Sequence, residues 1–319
     1  KGLYKMITEE ERIVFKAIEE ADSIVFFGHK NPDGDCVGSV MGMKHAIMEL
    51  FPDKKVYGVG THPSYLPSFI EEADQISDEV IENSLAVVVD VSDSYRVEDQ
   101  RFLKAKKIVC VDHHIKSSEV DFPVYRVEDA PSATWVLSKC LLDFYGKIPS
   151  SAAPYLFVGL ITDTGRFQFD SEPETLEIAE KLILAGTDYK SIYRDLYKQK
   201  SVDLRFRSFV YSHFVFDGLV TYVEIHKENY LPLGVTENDA GSKVNLISQL
   251  DNHPIWVSFC EQNDGQIRVE FRSDGSYDVQ QVAVKFGGGG HLCASGCRLD
   301  SFDKVKEVVA ACNQARKIK

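Results

Sequence analysis

The chain has 319 residues, 44% hydrophobic and 27% charged, which is ample for two packed domains of an ordinary globular protein. Its net charge of −13 excludes a protein that grips long nucleic acid by releasing counter-ions. No apolar run approaches the ~20 residues that cross a bilayer, and seven scattered cysteines without a CxxC pair fit reduced thiols in the cytoplasm.

Taken in chain order, residues 1–12 are a polar lead-in with no apolar signal core. Thr8 and Glu11 form a capping box that starts a helix. Residues 23–28 (SIVFFG) suit a buried strand, 29–35 a polar loop, and 36–51 a helix stopped by Pro52. Residues 55–59, 85–90 and 107–112 are three more strand-like runs rich in valine. Near-continuous apolar strands alternating with helices predict an α/β fold, a parallel sheet with helices on both faces. Helices are expected at 132–145, 152–161 and 174–185. The mixed charged and aromatic stretch that follows reads as a helical connector over 188–212, between a catalytic domain at 1–187 and a smaller α/β domain at 213–319. There the pattern turns to alternation: strands at 220–226, 255–261 and 266–272, the last two joined by the turn signal Asp264-Gly265. Helices are expected at 240–250 and 301–315.

The loop after the first strand holds His29, Asp33 and Asp35 within seven residues, with Pro32 to stiffen it and Gly34 to permit an unusual backbone conformation. Two further strands end at Asp90 and at Asp112, the latter followed by His113 and His114, and the apolar run of 152–161 leads into Asp163. One such aspartate is ordinarily a turn or helix cap. Four coinciding at edges where open α/β sheets bind ligands mark a cation site. His29, Asp33, Asp35, Asp90, His113 and Asp163 are too many ligands for one ion with open positions, and enough for two if a carboxylate bridges. Carboxylate and imidazole without thiolate suit Mn²⁺ first, with Mg²⁺ or Co²⁺ as alternatives. Two ions ~3.5–4 Å apart suit in-line displacement at phosphorus.

A second signal lies near the C-terminus. Gly287 to Gly290 followed by His291 lets backbone N–H groups approach an anion. Arg268 and Arg272 sit at even spacing on the preceding strand, so they share one face where guanidinium groups can meet phosphate. The isolated histidines His45, His62, His213, His226 and His253 read as surface or core.

The segments HKNPDGD, VVVD, VDHH and ITDTG resemble the four ordered motifs of the DHH phosphoesterase superfamily, and VEFRSDGSYDVQQVAVKFGGGGHLCASG resembles the DHH-associated substrate domain of its RecJ-like branch. The resemblance implies one metal on His29, Asp33 and Asp90 and another on Asp35, Asp90, His113 and Asp163, with Asp90 bridging. It implies catalytic roles for Asp90, for Asp112 in orienting and for His114 close to the scissile phosphate. Arg272, Ser273, Gly288, Gly289 and His291 would hold the substrate's terminal phosphate or nucleotide, beside Arg268 and Gly290. The compact layout is similar to bacterial nanoRNases, often labelled exopolyphosphatase-like, which remove mononucleotides from very short RNA and dephosphorylate 3′-phosphoadenosine 5′-phosphate. The polarity of cleavage, 3′-5′ or 5′-3′, stays open. A cyclic or linear dinucleotide phosphodiesterase, an exopolyphosphatase or pyrophosphatase, and a non-catalytic nucleotide sensor are the competing readings. The expected partners are short RNA or a small phosphorylated nucleotide, with no long duplex and no membrane; a homodimer is compatible with this reading.

Overall fold

The computed structural model describes residues 7–91, 93–115, 120–198 and 201–318. Residues 1–6 of the lead-in and 199–200 of the expected connector lie outside them. The chain divides into two compact units, Lys1–Lys198 and Gln199–Lys319.

The first unit runs α1 (Glu9–Glu20), β1 (Ser23–Phe27), α2 (Gly34–Leu50), β2 (Lys55–Val59), α3 (Asp78–Glu82), β3 (Leu85–Val89), β4 (Lys107–Asp112), β5 (Val124–Arg126), α4 (Ala133–Tyr145), α5 (Ala153–Asp163), α6 (Pro173–Leu184) and α7 (Tyr189–Leu196). Its sheet is parallel throughout, in the order β2-β1-β3-β4-β5. Both faces are covered, which explains the unbroken apolar strands. Ile24 and Phe26 pack with α1, α2, α4 and α5 on one side; Val25 and Phe27 pack with Ile81, Val97 and Phe102 on the other. The Thr8–Glu11 capping box forms as expected. The strand order reverses between β1 and β3, and a reversal of this kind opens a crevice at the carboxyl ends of the two strands.

The second unit runs α8 (Ser201–His213), β6 (Val215–Asp217), β7 (Val220–Ile225), α9 (Lys227–Tyr230), α10 (Glu237–Gly241), β8 (Ile255–Glu261), β9 (Ile267–Ser273), α11 (Gln280–Lys285), β10 (Gly289–His291), β11 (Ala294–Leu299) and α12 (Val305–Asn313). Its mixed sheet has the order β10-β11-β9-β8-β7-β6. One face is filled by Val257, Phe259, Val269 and Phe271 against α11 and α12. The other is covered over β7 and β8 by Phe206 and Val210 of α8, Tyr230 and Ala240.

Two expectations meet a different outcome. The stretch read as one connector contributes a helix to each unit: Ile192 of α7 belongs to the first core and Phe206 of α8 to the second. Residues 240–250 form the end of α10 and a separate 3₁₀ turn, Val244–Ile247, because the apolar spacing serves two short pieces on one sheet face. The last two glycines of the run, Gly289 and Gly290, lie with His291 in the short edge strand β10. Among the described residues no helix is long and apolar enough to cross a membrane.

Candidate active site

The crevice between β1 and β3 gathers the acidic and imidazole groups. Asp33 caps α2, accepting from the backbone N–H groups of Asp35 (3.0 Å) and Cys36 (3.1 Å). Gly34 owes its place to close approach: a Cβ there would lie 2.3 Å from Thr162 Oγ1. Gly38 meets α5 in the same way, 2.6 Å from the Tyr155 carbonyl. This tight crossing of α2 and α5 draws Asp35, in the first turn of α2, toward Asp163, the last residue of α5.

Asp35 is fully buried and held hard. Its Oδ2 accepts from Ala133 N (2.6 Å), and its Oδ1 from Thr134 N (3.0 Å) and Thr134 Oγ1 (2.6 Å). Asp90 follows β3 with φ of 58°, a left-handed conformation that strains any residue with a side chain and that marks functional corners. It divides its oxygens: Oδ2 lies 3.4 Å from His29 Nε2, and Oδ1 lies 3.4 Å from His113 Nε2 and 3.6 Å from His114 Nδ1. His113 Nε2 also stands 3.7 Å from Asp35 Oδ2 and 3.5 Å from Asp163 Oδ2.

The imidazoles are oriented from behind. His29 Nδ1 donates to the Lys30 carbonyl and His113 Nδ1 to the Ala130 carbonyl, each at 3.0 Å, which leaves both Nε2 atoms turned to the acids. Asp112 is buried beneath His114, accepting from its Nδ1 at 2.8 Å and from Arg126 Nε at 3.0 Å. The structure therefore brings His29, Asp33, Asp35, Asp90, Asp112, His113, His114 and Asp163 into one locality, with Asp33 the most exposed of the acids that face His29.

Metal ions fit this set. Asp90 Oδ1 is buried and accepts no hydrogen bond, an arrangement that carries a full desolvation penalty unless a cation takes the lone pair. Three overlapping groups have ligand atoms within 4.8 Å of one another: His29, Cys36 and Asp90; Asp90, His113 and His114; and Asp35, His113 and Asp163. Crowding of buried charge raises the proton affinity of this set. Burial, then the Asp90 charge, pushes Asp35 up to about 7. Burial, then Asp35, Asp90 and Asp33, pushes Asp163 up to about 9. Burial opposes charge on His113, yet Asp90 and Asp35 lift it to about 10. Each cation bound here displaces protons.

Sequence reasoning missed several neighbours. Cys36 Sγ accepts from His29 N at 3.2 Å, and burial pushes its thiol up to about 11. Thr134 clamps Asp35 from nearly a hundred residues away, and Arg126 braces Asp112; neither has a local signal. Arg166, with φ of 61°, follows Asp163 by three residues and lies 4.8 Å over the Tyr197 ring.

The second unit carries the other predicted residues. Arg268, Glu270 and Arg272 alternate with buried residues along β9 and share one half-buried sheet face. Arg272 pairs across to Ala294 and Ala294 to His291, so Arg272 and His291 stand in one row. Gly288 and Gly290 are required by close approach to β11: added Cβ atoms would lie 2.0 Å from the Gly296 carbonyl and 2.6 Å from Ser295 Cα. Gly289 is exposed and open. Ser273 faces the opposite way, buried, and donates to the Tyr277 carbonyl at 2.7 Å.

Comparison with known proteins agrees with this division. Residues 23–160 match the N-terminal domain of the DHH family, and residues 218–317 match the DHHA1 domain. The bifunctional oligoribonuclease and PAP phosphatase NrnA of Mycoplasma genitalium is 34% identical over 304 residues, 93% of this chain and 94% of that protein. The protein of the same name from Bacillus subtilis is 30% identical, over 93% of this chain and 96% of its own. An exopolyphosphatase-related protein of Bacteroides fragilis shares the fold, with a TM-score of 0.86 at 22% identity over 98% of this chain and 97% of that one. With the sequence relatives extending across both units, the chain belongs to the DHH family of phosphoesterases.

Proposed function

We propose that this protein is a two-metal phosphohydrolase that releases mononucleotides from very short RNA and dephosphorylates 3′-phosphoadenosine 5′-phosphate. The observation that carries the reading is Asp90, which offers one carboxylate oxygen to the His29 side and the other, buried and unpartnered, to the His113 side. His29, Asp33 and Asp90 would hold one ion, and Asp35, Asp90, His113 and Asp163 the other. Divalent ions in those positions, Mn²⁺ first among them, supply activated water and neutralise charge on the phosphoryl oxygens. The chain's own residues do the rest. Asp112 fixes the His114 ring through Nδ1, which leaves Nε2 free to face the scissile phosphate. Asp35, immobilised by Ala133 and Thr134, keeps its geometry as substrate arrives.

The substrate class rests on the relatives named oligoribonuclease and PAP phosphatase. Arg272, His291 and the exposed Gly289 would receive the substrate's terminal phosphate. Reduced, unpaired cysteines support a cytoplasmic setting. The test is a substrate panel with saturating Mn²⁺: dinucleotide, short RNA, 3′-phosphoadenosine 5′-phosphate, cyclic dinucleotide and pyrophosphate. Mononucleotide from the dinucleotide and phosphate from the bisphosphate are expected. Turnover confined to cyclic dinucleotide or to pyrophosphate would overturn the reading.

A further inference from the structure

The two arginines of β9 have the same spacing, strand and face, yet their hydrogen bonds differ in kind. Arg268 is used up. Its Nε and Nη2 both reach Glu270 Oε1, at 2.8 and 2.6 Å, and its Nη1 donates to Asn238 Oδ1 at 3.1 Å. Its aliphatic stem lies against Gly241, where a Cβ would come within 3.0 Å. Arg272 uses a single nitrogen. Nη1 donates to Glu270 Oε2 at 3.1 Å and to the Phe271 carbonyl at 2.8 Å, while Nε and Nη2 have no partner among the described residues. Glu270 therefore stands between the two, one oxygen to each, with its side chain 15% exposed.

This is a chain of support with a free end. The charge-assisted pair with Arg268 fixes one oxygen of Glu270. The other oxygen fixes one edge of Arg272, and the opposite, unoccupied edge is the fork that matches a phosphate bidentately. That edge belongs to the residue in register with His291 across Ala294. With Arg272 taken as the phosphate contact proposed above, we infer that Glu270 is its positioning residue and that Arg268, spent on Glu270 and Asn238, acts only through Glu270. The ligand is the terminal phosphate of the substrate already proposed, so the inference rests on that reading of this face. Mobile arginines lose rotamer freedom on binding; one held beforehand loses less. A carboxylate beside the phosphate also repels it, so Glu270 helps only if positioning outweighs its charge.

The experiment is a double-mutant cycle on the full chain with saturating Mn²⁺, reading kcat/KM for a dinucleotide. Glu270→Gln is isosteric and Arg268→Lys keeps its charge, so both preserve the packing of β9; a thermal melt checks each protein. Arg272→Ala should lower kcat/KM about thirtyfold. Glu270→Gln and Arg268→Lys should each lower it several-fold, up to about tenfold, in the wild-type background and by less than about twofold when Arg272 is already alanine. A role confined to stability would reduce activity alike in both backgrounds. Multiplying losses for Arg268→Lys would give Arg268 its own phosphate contact and overturn the inference. A gain in kcat/KM for Glu270→Gln would make Glu270 a repulsive group and overturn it too. If Arg272→Ala itself changes nothing, the reading of this face fails instead, and the two failures are told apart.

Discussion

The two functional regions are built by opposite means. The site of the first unit is made from the ends of five elements, β1, α2, β3, β4 and α5, which gather buried His29, Asp35 and Asp90 with part-exposed His113 and Asp163, so that the acids repel one another. The face of the second unit is one half-buried face of a single strand, with charges neutralised in place by Glu270. The difference is one of task. Stabilising charge that develops at phosphorus demands buried, fixed groups, where electrostatic interactions are strong and need no reorganisation. The phosphate-holding role proposed for the second unit would need only a donor held in a set direction.

The sharpest way to break the comparison is Asp90→Asn. Asparagine tolerates the left-handed backbone, so the fold should persist, while kcat/KM for every substrate should fall by about a thousandfold or more. The metal-free melting temperature should fall, because the Asp90 carboxylate is the partner of the His113 and His29 imidazoles, which against the effect of burial hold its pKa well below the usual carboxylate range. Near-normal turnover would remove Asp90 from the bridging position.

Arg272→Ala comes next, and it should discriminate. Cleavage of a dinucleotide should weaken by about 2 kcal/mol or more in kcat/KM, as for a lost charged hydrogen bond. Bis-p-nitrophenyl phosphate, with no second phosphate, should suffer far less. Equal proportional losses on the two would abolish the division of labour drawn here. Substrate length sharpens the same point. A net charge of −13 leaves little to hold a long strand, so activity should drop by about tenfold as RNA grows past about five nucleotides. Faster cleavage of a long single strand would indicate a processive nuclease.

The smallest effect concerns Asp33, which is both cap and proposed ligand. Asp33→Ala should cost about 1 kcal/mol of metal-free stability through the lost N-cap. Asp33→Ser should recover that stability without recovering hydrolysis. Recovery of both by serine would confine Asp33 to capping.

Much of the catalytic site was legible because strand and ligand are adjacent in the chain. Apolar runs ending in Asp90 and in Asp112-His113-His114 announce both the buried sheet and the groups at its edge, and α/β topology brings such edges together. Gly34 was legible as special, though for the wrong reason: it serves close approach to Thr162, not an unusual backbone angle. On β9, even spacing correctly put Arg268 and Arg272 on one face and made them look equivalent.

What the amino-acid sequence determined by itself was the placement of acids and imidazoles at strand ends, the class of sheet and the face of each strand residue, since all of these follow from local pattern. What tertiary structure decided was the partner of each polar atom. Thr134 closes on Asp35, Arg126 on Asp112, and Asn238 with Gly241 on Arg268 only because separate elements meet in space. Ser273, one residue beyond Arg272, was read as a phosphate contact, yet the pleat turns it to the other face, where its hydroxyl goes to Tyr277. Hydrogen-bond partners are chosen by distance after folding, and no pattern along the chain carries that information.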